Sequence, residues 1–166
     1  MTEKPGFWLR RLDARDVETV ATFEREIAKV SFPDDPITEL KFYIKKVARL
    51  VDDANVAAVV VEDKTGVVGW AYVSKRQNFI TKEPYGDFHS IYIGPSQRGS
   101  GAASELVEAV FEFCRKQKLD RVVFRTRATN ERMKAVLARF GFVPTQIFYE
   151  KSLAVDDRGA RRTSGQ

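Results

Sequence analysis

The chain predicts an α/β domain with a mixed central sheet, on three observations. Runs rich in β-branched and aromatic residues alternate with runs of helical apolar spacing, in the order strand–helix–helix–strand–strand–strand–helix–strand–helix–strand. Val56–Glu62 and Val67–Lys75 form two strand runs joined by Asp63-Lys64-Thr65-Gly66, a hairpin with glycine at its turn. Ile91-Tyr92-Ile93 ends a further strand, and Gly94, Pro95 and Ser96 break it before a glycine turn that runs into a helix. At 166 residues and 43% apolar content, the chain suits one globular domain with a substantial core.

Taken in order, Phe-Trp-Leu-Arg-Arg-Leu at 7–12 reads as the first strand. Asp13 or Asp16 then caps a helix whose inner face is Val17, Val20, Phe23, Ile27 and Val30. Ser31-Phe32-Pro33-Asp34-Asp35-Pro36 breaks it, and a second helix is expected from about Ile37 to Leu50. After the hairpin, Phe79–Tyr85 is an irregular connection to the strand ending at Ile93. The next helix carries Ala103, Leu106, Val107, Val110 and Cys114 on one stripe, which makes Cys114 a core residue rather than a nucleophile. Arg121–Arg127 follows as a strand, Asn130–Phe140 as a helix, and Val143–Leu153 as the final strand or strands. One domain spans 6–153, and 154–166 is a polar tail with little to bury, expected to be disordered.

Charge and composition narrow the function. The net charge of +5 arises from 28 basic and 23 acidic residues with no long single-sign block. Phe79 and Tyr85 flank the loop beyond Lys75 and Arg76, but no RNA-binding consensus accompanies them, so a nucleic-acid partner is not expected. No apolar run approaches the ~20 residues that cross a bilayer, so no membrane partner is expected. The N-terminal Met-Thr-Glu-Lys-Pro-Gly has no apolar segment behind its charges, and a cytoplasmic location is the expectation. A single cysteine and a single histidine leave no intrachain disulfide and no His/Cys metal cluster.

The turn at Arg98-Gly99-Ser100-Gly101-Ala102-Ala103-Ser104 carries the chemistry. A strand that passes through a glycine turn into a helix N-terminus leaves backbone N–H groups unpaired beside the positive end of the helix dipole, a site for phosphate oxygens. Gly99 and Gly101 allow close backbone approach, and Arg98 can add a charged contact. The P-loop needs Gly-Lys-Ser/Thr, which is missing. The dinucleotide fingerprint finds two of its three glycines and an acid at Asp120, but Asp120 precedes the next strand instead of ending one.

Arg98-Gly99-Ser100-Gly101-Ala102-Ala103 resembles the Arg/Gln-x-x-Gly-x-Gly/Ala motif of the GNAT family of N-acetyltransferases, which use acetyl-coenzyme A. Asp87-Phe88-His89-Ser90-Ile91-Tyr92-Ile93-Gly94-Pro95 looks like that family's preceding strand and turn. Asn130 to Phe142, ending in Phe140-Gly141-Phe142, looks like its asparagine-initiated helix and Gly-Phe turn. The resemblance covers roughly residues 6–153 and implies a mostly antiparallel mixed sheet flanked by helices, the acyl-CoA N-acyltransferase fold. It further implies that the strands Phe88–Ile93 and Arg121–Arg127 splay apart around the pantetheine arm. Backbone groups of Ile91 and Ile93, with Tyr92 between them, would hold that arm like an added strand. Arg98, Gly99, Ser100, Gly101, Ala102, Ala103 and Ser104 would hold the pyrophosphate, and Asn130 the pantetheine or an ordered water. No metal is expected.

Acyl transfer to an amine needs a base, because an ammonium has no lone pair, and a donor for the developing oxyanion. His89 is the first candidate base and Asp87 the fallback, acting directly or through water. Period-two alternation places both on one face with Ile91 and Ile93. The family's oxyanion donor is a backbone N–H near Ile91. Its usual tyrosine acid, four residues before the helix-ending glycine, is Leu137 here, which has no proton to give; Tyr92 and Tyr149 are the alternatives. Phe32, Asp34 and Asp35, with Tyr85, would shape the acceptor pocket. The two aspartates suit a cationic amine and equally suit capping of the helix at Ile37. The expected activity is acetyl transfer from acetyl-CoA to a primary amine in a ternary complex. The alternative is a non-catalytic acyl-CoA-binding module of the same fold. A homodimer is left open.

Overall fold

The computed structural model describes residues 6–154. Five strands form one sheet in the order in which they occur in the chain: β1 (Phe7–Arg11), β2 (Val56–Asp63), β3 (Gly66–Gln77), β4 (Pro84–Ile93) and β5 (Val122–Phe124). The first four pair antiparallel, and β4 and β5 pair parallel. The sheet is therefore mixed and mostly antiparallel, as expected. Asp63 and Gly66 close the β2–β3 hairpin, where Gly66 takes a φ of +124° that only glycine adopts without strain.

Helices cover both faces. On one lie α1 (Val17–Ser31) and α2 (Leu40–Ala48). Val17, Val20 and Ala21 of α1, with Tyr43 and Val47 of α2, bury against Val60, Trp70 and Tyr72 of the sheet. Asp13 accepts from the Arg15 N–H and Asp16 answers to the Asp13 N–H, a capping box that sets the chain into α1. The predicted stripe on α1 is partly right: Val30 is exposed, and Glu24 takes a buried place. The second helix begins at Leu40, three residues later than expected, and its N-terminus has no side-chain cap. Asp34 and Asp35 do not cap it; the helix begins only after Glu39, whose backbone is extended.

On the other face, α3 (Ala102–Lys116) buries Ala102, Leu106, Val107, Val110 and Cys114 against Val61, Ala71, Val73 and Phe88. Each fully buried aliphatic side chain here contributes about 1.5–3 kcal/mol, which makes this stripe the main attachment of α3. Cys114 is a core residue, as its spacing indicated. Gly86 leaves room for it: a Cβ on Gly86 would stand 2.6 Å from the Cys114 sulfur. The last helix, α4 (Glu131–Arg139), starts where Asn130 Oδ1 accepts from the Met133 N–H at 3.0 Å.

Two expectations fail. Val143–Leu153 forms no strand: it is irregular, and Val143, Ile147, Phe148, Tyr149 and Leu153 are all exposed. Its β-branched and aromatic content is that of a strand, but it makes no ladder pairing, although the outer edges of β1 and β5 are free among the described residues. β5 is also shorter than expected, pairing only from Val122 to Phe124. The expected disordered tail lies outside the described residues except for Ala154.

Candidate active site

β4 carries the site, and a bulge in it decides which way its side chains point. Tyr72 pairs with Ser90 and Val73 with Phe88, leaving His89 as the extra residue. Phe88, Ile91 and Ile93 consequently face α3, while Tyr92 packs with the α1–α2 core. The period-two expectation that His89 shares a face with Ile91 and Ile93 is thus overturned. His89 instead stacks on Tyr72 on the α1–α2 side, with ring centroids 4.8 Å apart. Asp87, paired with Ser74, points the same way, so the expected grouping of Asp87 and His89 holds.

A polar cluster forms around them. His89 Nε2 lies 3.0 Å from Ser74 Oγ and 3.6 Å from Asp87 Oδ2. Arg125, just past β5, donates from Nη1 to Asp87 Oδ1 at 2.7 Å, and Arg76 Nε stands 4.0 Å from Oδ2. Behind the cluster, Lys46 of α2 pairs with the buried Glu24 of α1, its ammonium 5.8 Å from the centre of the Tyr72 ring. Burial pushes the His89 imidazole below its ordinary value; Asp87 opposes this, while Arg76, Lys46 and Arg125 reinforce it. Burial thus favours the neutral ring, the form that accepts a proton. Burial, then Glu24 and Asp87, push the Tyr72 phenol up, so it keeps its proton.

Beyond Phe88 the strands β4 and β5 part. The Gly94 N–H donates to the Val68 carbonyl at 2.7 Å, across β3. By alternation the backbone groups of Ser90 and Tyr92 also turn to β3, and those of Ile91 and Ile93 turn into the gap left by β5. Arg98 Nε approaches the Ile93 carbonyl at 3.4 Å at the gap's far end.

The gap leads to the glycine turn. A short 3₁₀ turn at Pro95–Gln97 brings the chain round to Arg98, and α3 starts after Gly101. Gly99 and Gly101 have φ of +80° and +93°. A Cβ on either would meet nothing within 4 Å, so the left-handed backbone, and not crowding by the protein, is what demands glycine. The Ala102 N–H reaches Ser100 Oγ at 3.3 Å, and the Glu105 N–H begins the helical ladder on the Gly101 carbonyl. The N–H groups of Gly99, Gly101, Ala103 and Ser104 find no acceptor among the described residues. A ring of free donors at the N-terminus of a 15-residue helix fits a pyrophosphate.

Asn130 caps α4 as expected. Leu137 sits half-buried in α4, its carbonyl accepting from the Phe140 and Phe142 N–H groups. Tyr92 is half-buried and stacked on Phe23 at 4.6 Å between centroids, and Tyr149 is exposed in the irregular segment. Phe32, Asp34 and Asp35 are exposed on the α1–α2 loop, beside which Arg127 Nη1 donates to the Ser31 carbonyl at 3.0 Å. Tyr85 lies lower on β4, with the Arg121 guanidinium 5.9 Å from its ring centre. Two surface depressions, one beside Leu9, Ala57 and Phe113 and one beside Glu83, Lys118 and Arg121, lie away from the cluster. No group of three or more His, Cys, Asp or Glu side chains among the described residues could hold a metal.

Sequence reasoning missed Ser74, Tyr72 and Arg125. Ser74 and Tyr72 become visible only through the β3–β4 register, which the bulge shifts. Arg125 did carry a signal: it follows the apolar Val122-Val123-Phe124 at once, where a strand meets a site.

The parting of β4 from β5, the half-buried His89 beside it and the glycine turn with its free N–H groups all lie on one continuous stretch, 86–105. Residues 17–142 match the model of the acetyltransferase (GNAT) family, and the chain belongs to that family. No curated protein matches it. Among solved structures it resembles the aminoglycoside N-acetyltransferase AAC(6')-Iy in complex with CoA, with TM-score 0.72 and 19% identity over 91% of this chain and 98% of the other. It also resembles a possible acetyltransferase from Clostridium difficile 630, with TM-score 0.72 and 16% identity over 90% and 99%. A ribosomal-protein-alanine N-acetyltransferase from Brucella melitensis biovar Abortus 2308 gives TM-score 0.65 and 15% identity over 89% and 99%. At these identities the likeness is one of fold.

Proposed function

We propose that this protein transfers the acetyl group of acetyl-CoA to a primary amine by direct attack in a ternary complex. The observation that carries this reading is the β4–β5 gap, open from Ser90 to Ile93 and ending on four unpaired N–H groups at the α3 N-terminus. Acetyl-CoA supplies an activated acyl carbon, so that an amine nitrogen forms the C–N bond as the C–S bond breaks and the thiolate departs. The protein's part is to hold both partners and to move one proton. Ile91 and Ile93 offer backbone groups to the pantetheine arm, with Tyr92 fixed between them by its stack on Phe23. Arg98, Gly99, Ser100, Gly101, Ala102, Ala103 and Ser104 form the pyrophosphate cradle, and Asn130 lies at the start of α4. A backbone N–H in the gap near Ile91 suits the developing oxyanion. His89 is the base, neutral at working pH, and Asp87 steadies the imidazolium that forms.

Leu137 has no proton to give where the family has its tyrosine, so the thiolate leaves unassisted or takes its proton from water. The acceptor is an amine, reached from the α1–α2 loop side through Phe32, Asp34, Asp35 and Tyr85. A cytoplasmic location and the lack of nucleic-acid and membrane partners belong to the same reading. Acetyl-CoA titration followed by an amine-acceptor screen, read as thiol release, tests it. Micromolar binding with turnover abolished by His89→Ala is the expected result; binding without turnover on any amine would favour the non-catalytic acyl-CoA module.

A further inference from the structure

We propose that Ser74 is a positioning residue that sets the tautomer of His89, accepting from Nε2–H so that Nδ1 keeps the lone pair that takes the acceptor's proton. This rests on His89 as the base. The contact between Ser74 Oγ and His89 Nε2, at 3.0 Å, permits two arrangements: the ring donates to the hydroxyl, or the hydroxyl donates to the ring. Asp87 decides between them. Its Oδ2 lies 3.6 Å from the same nitrogen, and a carboxylate there attracts a ring proton and repels a lone pair. Ser74 and Asp87 are both buried, so water does not relieve that preference. Nδ1 has no hydrogen-bond partner among the described residues and is not sealed from solvent.

The ring cannot turn freely to exchange its nitrogens. Tyr72 stacks on it at 12° between planes, and the bulge at His89 fixes the backbone from which it projects. The other charged groups facing it, Lys46 from α2, Arg76 from β3 and Arg125 past β5, are cations that favour the neutral ring; Arg76 and Arg125 also sit on the Asp87 carboxylate, yet each acts on the ring less than Asp87 does. With the proton on Nδ1 instead, the ring would aim a donor at the incoming ammonium, and no transfer could start. In the assigned tautomer the ammonium's proton passes to Nδ1, imidazole becomes imidazolium, and the freed nitrogen lone pair is available for attack.

The chain has a single histidine, so its imidazole nitrogens can be read without overlap in ¹⁵N-labelled protein. The expected spectrum shows a protonated, pyrrole-type Nε2 and a pyridine-type Nδ1 at pH 8. Ser74→Ala should mix the tautomers and lower kcat by ~10–100-fold with the KM for acetyl-CoA unchanged, and Ser74→Thr should restore both. A proton found on Nδ1 in the wild type, or a tautomer and kcat untouched by Ser74→Ala, would overturn the assignment. Failure of the underlying reading has a separate signature: turnover indifferent to His89→Ala, whatever the spectrum shows.

Discussion

Replacing Gly101 with alanine and with glutamate separates the two things that this residue does. Both substitutions force a side chain into a φ of +93°, and neither Cβ meets a protein atom within 4 Å. Both variants therefore carry the same backbone strain, about 1–2 kcal/mol, and should lose that much stability to urea. They differ in charge. A carboxylate introduced at the head of α3 stands among the free N–H groups of Gly99, Ala103 and Ser104. Opposite a bound phosphate at ~4 Å, with an effective dielectric of ~20, each pair of unit charges repels by about 4 kcal/mol. Screening and side-chain movement reduce this, and about 3 kcal/mol still weakens binding by ~100-fold. Calorimetric titration with acetyl-CoA reads the difference directly. Alanine should cost at most ~10-fold and glutamate ~100-fold or more, with the gap between them narrowing in high salt. Equal affinities for the two variants would mean that no anion lies in this turn, and the pyrophosphate assignment would fall.

Three further outcomes follow from the structure. Gly86→Ala places a Cβ 2.6 Å from the Cys114 sulfur and 3.4 Å from Val73, and should destabilise the fold by ~1–3 kcal/mol in urea unfolding, with Cys114→Ala relieving part of the loss. The acid limb of kcat/KM should fall below the ordinary histidine value of 6.5, because burial favours the neutral ring; Asp87→Asn should move it lower still, since it removes the anion that stabilises the imidazolium, and an upward move would refute the assignment of that carboxylate. Ile147→Ser and Phe148→Ser should each change stability by less than ~0.5 kcal/mol, because both side chains are exposed; a loss above ~1 kcal/mol in thermal unfolding would show that the segment packs.

The elements with a local cause were legible in the sequence. The 3.6-residue stripe of α3 predicted Leu106, Val107, Val110 and Cys114 as core, the Asp63–Gly66 turn predicted its hairpin, and Asn130 predicted its cap. Gly99 and Gly101 announced a left-handed turn before a helix, and both have positive φ. What depended on pairing between distant segments was not legible. The bulge at His89 arises from the β3–β4 register, and a one-residue shift transfers every later side chain to the other face. The same limit hid Ser74 from His89, fifteen residues apart, and Arg125 from Asp87, thirty-eight apart. Val143–Leu153 has strand composition, yet composition does not establish a pairing, even with the outer edge of β5 free among the described residues.

The order of the strands bears on how the sheet assembles. β1 to β4 meet by antiparallel pairing, β2–β3 through a tight turn and β3–β4 through the short loop 78–83, so a meander from Val56 to Ile93 can form with little loop-closure entropy. β5 is different. It must wait for the crossover through α3 to dock, and it then gains only three ladder pairs. The joint proposed to admit the coenzyme is thus the one with the fewest ladder pairs in the sheet. Its local unfolding free energy is expected at the low end for the domain, and a ligand bound there would stabilise the contact that the bare chain makes least well.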